Sequence, residues 1–373
     1  MSEPILGITM LCLLCAAILI GFPTAFTLMA LGVIFGFLGF GGLVFDLLVQ
    51  RAFAVMTNDV LVAVPLFIFM GYIIERAGTL TRLFYSIQLA LGPIRGSLLI
   101  ATLATCTVFA TATGIVGASV TLIGLLALPS MLKARYETEI STGTIAAGGT
   151  LGILIPPSVL LILYGAVAGV SVPRLYAGAF LPGLMLSSLY LIYILARVYS
   201  NPKVAPPLPE EERNVPIGTV LYQVVTSFLP LTLLITAVLG SILMGIATPT
   251  EAAALGAIGG LLLAAAYRTL TFENLKESVF LTARTTAMVG WLFVGSSLFA
   301  AVFARLGGSA LIEQWVLGLG LSPFAFFWLA RIVIFLLGWP LEWTEITIIF
   351  LPLFLPLLRQ YDIDPLFFGI MTA

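Results

Sequence analysis

Histidine is absent from the 373 residues, which removes imidazole acid–base catalysis and the commonest protein ligand for transition metals. Charge is scarce too. Only 9% of residues are Asp, Glu, Lys or Arg, and the net charge is -1, so there is no basic footprint for nucleic acid. No GxxxxGK[ST] string occurs, which excludes ATP hydrolysis of the phosphate-loop kind. Cysteine is limited to Cys12, Cys15 and Cys106, all inside apolar runs. The first two form a CxxC, but with no basic neighbour to stabilise a thiolate the expectation is of small core residues rather than a redox pair. The lead sequence MSEPILG is acidic, so the first apolar run reads as a mature helix and not as a cleaved signal. An intramembrane hydrolase would need a nucleophile with a base, and the apolar segments offer no convincing Ser–Lys or aspartyl pair.

What is present is apolar: 61% hydrophobic residues and a mean hydropathy of +1.17. A soluble globule of this composition could not cover itself with polar surface. The expected fold class is therefore all-α, a polytopic membrane protein. With about 20 residues needed to cross a bilayer, continuous spans are expected at 4–22, 24–43, 59–76, 174–198, 217–246, 249–267 and 284–306. Residues 79–92 and 308–320 are moderately amphipathic and are expected along the interface.

Three apolar stretches are interrupted. Residues 97–132 are too long for one span and too short for two, and TATGIVGAS (111–119) cuts them; they read as a re-entrant hairpin with its tip at mid-membrane. Residues 323–358 read likewise, with GWPLEWTEI (338–346) as the tip. The third, 140–170, contains GTLGILIPPS at 149–158. Prolines remove backbone donors and glycines weaken the helical ladder, so this span is expected to break. Broken backbone at membrane depth persists only where protein or a cavity surrounds it, and its freed carbonyls and half-helix ends can hold ions and anions.

The proline- and charge-rich stretch 199–216 divides the chain into halves, and the halves repeat. YETEI begins at Tyr136 and YDIDP at Tyr361, an offset of 225 residues, each preceded by a Leu-Pro segment. Pro23-Thr24 and Pro249-Thr250 keep nearly the same spacing. Residues 1–198 form the first repeat, 199–216 a cytoplasmic linker, and 217–373 the second. Five crossings separate the two tyrosines, which makes the repeats inverted. Eleven of the sixteen lysines and arginines fall on the Tyr136 face, Arg51, Arg174, Arg305 and Arg359 on the other, and Arg331 inside a hairpin. By the positive-inside rule the Tyr136 face is cytoplasmic and the N-terminus periplasmic. Under the 225-residue offset, Ala373 matches position 148, so the second repeat is expected to be incomplete and the sequence C-terminally truncated.

The stretches GLLALPSMLKARYETEISTGTIAAGGTLGILIPPS (124–158), MGIATPTEAAALGA (244–257) and LEWTEITIIFLPLFLPLLRQYDIDPLFFGI (341–370) resemble the large membrane subunit of tripartite ATP-independent periplasmic (TRAP) transporters, DctM. The first and last look closest to the mannitol or chloroaromatic branch. This resemblance implies an elevator-type, sodium-coupled importer of organic acids in a bacterial or archaeal inner membrane. It also implies two partners, a small four-helix DctQ-like membrane subunit and a periplasmic substrate-binding protein. Two departures stand out: the first tip reads TATG where the family has an SGSS-like string, and the second Pro-Pro stretch is missing. A stand-alone sodium- or proton-coupled carboxylate transporter of related fold is the alternative. A channel would also use broken helices, but inverted duplication suits alternating access better.

A half-helix that starts at a break aims unsatisfied N–H groups into the membrane and suits a carboxylate; one that ends there presents carbonyls that suit sodium. The candidate substrate residues are accordingly Thr113, Gly114, Gly152, Ser158 and Arg331. The candidate sodium ligands are Thr111, Ser119, Gly149, Pro156, Glu342 and Thr344. Taken singly, Thr111, Thr113 and Ser119 would read as interhelical packing residues; clustered at a break, they read as ligands. Two roles fit Arg331, holding a substrate carboxylate or pairing with Glu342 or Glu345 across the hairpin, and the pairing is favoured because a hairpin brings its arms together. Glu251 stands three residues after Thr248, a capping-box spacing that points to a helix start rather than to proton coupling.

Overall fold

The computed structural model describes residues 3–92, 94–114, 116–207, 216–339 and 341–373. In chain order the helices are α1 (Glu3–Ile20), α2 (Thr24–Phe40), α3 (Leu43–Met56), α4 (Ala63–Arg76), α5 (Thr79–Ala90), α6 (Ser97–Thr113), α7 (Val116–Lys133), α8 (Thr138–Leu154), α9 (Val159–Ala168) and α10 (Val172–Ser200). Then follow α11 (Ile217–Leu243), α12 (Pro249–Ala266), α13 (Phe272–Arg305), α14 (Gly308–Gly318), α15 (Pro323–Leu337), the one-turn α16 (Trp343–Glu345), α17 (Leu351–Gln360) and α18 (Pro365–Thr372). Among the described residues no strand occurs. Four helices among the described residues, α10 to α13, are long and apolar enough to cross a membrane, and α8 with α9 passes the same test as a pair bent by 43°. Ile115, Pro340 and residues 208–215 of the expected linker lie outside the described residues.

Several expected boundaries move. The span placed at 59–76 opens with a 3-10 turn, Asp59–Val62, before α4 begins. Pro65 falls in the first turn of α4, where its missing N–H costs no helical bond. Residues 43–56, largely outside the expected spans, form α3, because Asp46, Gln50 and Arg51 lower the hydropathy without breaking the helix. The span expected at 284–306 is the later part of α13, which starts twelve residues sooner; Glu273, Lys276 and Glu277 end the apolar window, but no proline or glycine ends the helix. Cys12 and Cys15, expected in the core, are exposed on α1, whereas Cys106 is buried. Outward apolar residues are what a lipid-facing helix presents, so the apolar run did not imply a protein interior.

The chain forms two compact units, and each takes residues from both sides of the 199–216 stretch. One comprises Ala63–Leu161 and Val172–Ala283; the other comprises Met1–Val62, Ile162–Ser171 and Arg284–Ala373.

In the Ala63–Ala283 unit, α12 lies along α4. A Cβ on Gly256 would stand 2.5 Å from the Met70 sulfur and one on Gly260 2.6 Å from Ile73 Cγ2, a small-xxx-small approach of two helices. At the start of α12 the expected cap is present: Glu251 N donates to Thr248 Oγ1 (3.3 Å) and Thr248 N to Glu251 Oε2 (2.8 Å). Helices α6 and α7 pack on each other as a hairpin, and α8 packs against both arms.

In the other unit, α2 meets α13 through glycine: a Cβ on Gly295 would lie 2.7 Å from the Ala25 carbonyl oxygen. The arms α15 and α17 form the second hairpin, with Phe326 and Tyr361 stacked 4.3 Å apart near its open end. Between α16 and α17 the backbone runs as a π-helix, Ile346–Phe350, a form frequent at functional sites.

Candidate substrate and ion site

The break in α8–α9 falls at 155–158, the Pro-Pro end of the expected stretch, while Gly149 and Gly152 remain inside α8. Residue Ile155 ends α8 in extended conformation, the Pro156–Pro157 peptide is cis, and α9 resumes at Val159. Two of the freed carbonyls are taken by the chain itself. The Ser158 hydroxyl donates to the carbonyl of Ile153, and the Tyr176 hydroxyl donates to the carbonyl of Ser158 at 3.1 Å. Ser158 and Tyr176 are both fully buried.

Gly114 sits at the tip of the first hairpin with φ +61, a left-handed turn that a Cβ disfavours. A Cβ there would lie 3.4 Å from Val159 N and 3.7 Å from the Pro157 carbonyl oxygen. The hairpin tip therefore rests on the break itself. Gly148 and Gly149 seat α8 between the two arms: added Cβ atoms would meet Cys106 Sγ at 2.8 Å and Val120 Cγ2 at 2.2 Å. Gly152 is buried on the same helix. Thr111 and Ser119 are buried on α6 and α7, and Thr111 Oγ1 donates to the Val108 carbonyl at 2.6 Å. The side chain of Thr113 lies outside the described residues.

A cavity of about 370 Å³ joins part of this set. Thr111 of α6 and Pro156 of the break line it, together with Thr107, Thr232 and Thr236. Thr107 hydrogen-bonds Ser187 at 2.9 Å, while the buried Thr232 Oγ1 has no hydrogen-bond partner among the described residues. Sequence reasoning missed Thr232, because it sits in the run LTLLIT inside the continuous helix α11; its hydroxyl and that of Thr236, four residues on and so on the same helix face, were an available signal.

The remaining three candidates belong to the other unit. Thr344 is buried in the second tip and Glu342 is exposed at its entrance. Glu345 accepts from Glu342 N at 3.2 Å and from the Thr24 hydroxyl, which ties the tip to the start of α2. Arg331 does not make the expected pairing with Glu342 or Glu345. Its guanidinium donates to Thr372 Oγ1 (2.6 Å) and to the Phe368 carbonyl (2.8 Å), and stacks on the Phe327 and Phe368 rings at 4.8 and 4.2 Å. The reason is positional: Arg331 lies midway along α15, beside α18, while the glutamates are at the tip. From the α9 side, Tyr164 donates to the Pro365 carbonyl, and a Cβ on Gly369 would come within 2.2 Å of the Tyr164 ring. Helix α18 is thus gripped by α9 and α15.

An all-helical, apolar chain with a hairpin tip set on an interrupted span defines a polytopic membrane transporter. Its family is equally plain: the model of the "Tripartite ATP-independent periplasmic transporter, DctM component" matches residues 11–373, and this chain belongs to that family. It is 32% identical over 326 residues to the C4-dicarboxylate TRAP transporter large permease protein DctM of Pseudomonas aeruginosa, covering 87% of this chain and 74% of that one. It is 32% identical to a putative TRAP transporter large permease protein of Haemophilus influenzae (87% and 80% covered) and 30% identical to the ectoine/5-hydroxyectoine permease UehC of Ruegeria pomeroyi (94% and 81%). Among solved structures, the YdaH transporter of Alcanivorax borkumensis has a similar fold, with a TM-score of 0.60 at 15% identity over 87% of this chain and 74% of that one.

Proposed function

We propose that this chain is the large membrane subunit of a sodium-coupled TRAP transporter that imports organic acids. In this reading a periplasmic binding protein delivers the acid, a small four-helix membrane subunit completes the permease, and the complex works in the inner membrane by an elevator motion, with the N-terminus periplasmic. The observation that carries it is the apposition of Gly114 to Pro157 and Val159. This contact puts the end of one half-helix and the start of another beside buried hydroxyls, an arrangement suited to an ion and an anion together. Thr111, Ser119, Gly149 and Pro156 would contribute oxygens to sodium; Thr113, Gly114, Gly152 and Ser158 would surround the carboxylate. Glu342 and Thr344 of the second tip are further sodium candidates. The cargo class is supported by relatives whose names specify C4-dicarboxylates, sialic acid and isethionate.

Reconstitution in proteoliposomes with the neighbouring small subunit and binding protein tests the reading. Labelled acid should accumulate only with an inward sodium gradient and added binding protein. Uptake that needs neither partner, or that follows a proton gradient alone, would replace it with a stand-alone symporter.

A further inference from the structure

A second cavity, of about 490 Å³, lies within the unit formed by Met1–Val62, Ile162–Ser171 and Arg284–Ala373. Its polar lining comes from Arg51 of α3, Asn58 at the α3–α4 break, and Ser296 and Ser297 of α13; Ile348 of the π-helix lines it too. Arg51 is exposed, and its side chain has no hydrogen bond or ion pair among the described residues. The Asn58 amide is oriented by Oδ1, which accepts from Val60 N at 3.0 Å, and its Nδ2 donors have no hydrogen-bond partner among the described residues. Ser296 and Ser297 donate to the Phe293 and Val294 carbonyls at 3.1 and 3.0 Å. Among the described residues, the free side-chain donors of the lining are therefore those of Arg51 and Asn58, and no acidic side chain lines the cavity with them. The volume is that of a small-molecule site.

We propose that this cavity binds the anionic group of an organic acid, with Arg51 as the bidentate partner and Asn58 as a second donor, on its way to the second hairpin. A guanidinium matches a carboxylate in shape, and apolar walls strengthen the attraction relative to water. The identity of the anion as cargo rests on the function proposed above; the anion site itself does not.

Charge-selective thiol labelling separates the two. In the full-length chain with Cys12, Cys15 and Cys106 replaced, Ala54→Cys places a thiol on the cavity wall one turn from Arg51. Open membranes are treated with anionic sulfonatoethyl or cationic trimethylammonioethyl methanethiosulfonate. Relative to its rate with a free thiol in solution, the anionic reagent should be favoured about tenfold over the cationic one, succinate at millimolar concentration should slow it, and both effects should vanish with R51Q while R51K keeps part of them. Ser297→Cys repeats the measurement from the opposite wall. Equal rates for the two reagents once each is divided by its rate with a free thiol, or rates indifferent to R51Q at both positions, would overturn the site. In reconstituted complex R51Q should raise the KM for acid about tenfold with a smaller change in kcat. Selective labelling without acid uptake by the wild type would leave the site standing and remove the proposed cargo.

Discussion

Arg331 holds Phe368 twice, through a 2.8 Å hydrogen bond from Nη2 to its carbonyl and by stacking 4.2 Å above its ring. With the bond to Thr372, one side chain of α15 fastens the last described helix of the chain. An arginine in an apolar hairpin is costly to insert, and these contacts give it a structural use.

Replacement of Arg331 by Met should lower the melting temperature of the solubilised protein, with a loss of about 2–3 kcal/mol from hydrogen bonds to a charged donor. The KM for acid should stay unchanged. A raised KM with normal melting would put Arg331 among the substrate ligands instead.

Gly114→Ala forces a Cβ into a left-handed turn and against Val159, whose Cγ2 would lie 3.3 Å from the added carbon. Backbone strain of about 1–2 kcal/mol falls on the tip itself. Transport should drop at least several-fold while expression and the far-ultraviolet helical signal hold; wild-type uptake by this variant would show that the tip contact is dispensable.

Overpacking is expected at Gly149, where a Cβ would stand 2.2 Å from Val120 Cγ2. Gly149→Ala should destabilise by about 1–3 kcal/mol, and Val120→Ala in the same chain should recover most of that. Thermal unfolding of the single and double variants reads the coupling, and strictly additive losses would deny the contact.

Thr248→Ala removes the cap of α12 and should cost about 1 kcal/mol, whereas Thr248→Ser should be close to neutral. Both are measured by the same melting assay. Equal losses in the two variants would point to packing of the threonine methyl rather than to the cap.

The parts of the site legible in the sequence are those written in punctuation. Pro156 and Pro157 announce an interrupted helix because each removes a donor from its own backbone, and TATGIVGAS marks a tip; Gly149 and Gly152, expected to weaken the ladder, stay buried inside α8, where Gly149 serves close packing instead. The Thr248–Glu251 cap was readable because both partners lie within one turn. Helix α3 and the early start of α13 were not, since charged residues end a hydropathy window without ending a helix. Nor was the use of Thr232, whose hydroxyl takes its meaning from the cavity around it.

Composition and local backbone chemistry by themselves determined a helical membrane protein, the broken span at Gly149–Ser158 and the two hairpins, because burial in lipid and the loss of N–H donors act residue by residue. Tertiary structure alone decided that Arg331 anchors α18 instead of meeting Glu342 or Glu345, that Gly114 rests on Pro157 and Val159, and that Arg51 and Asn58 share a cavity. Those relationships join residues of different helices, whose meeting depends on how the helices pack and not on the spacing within any one of them.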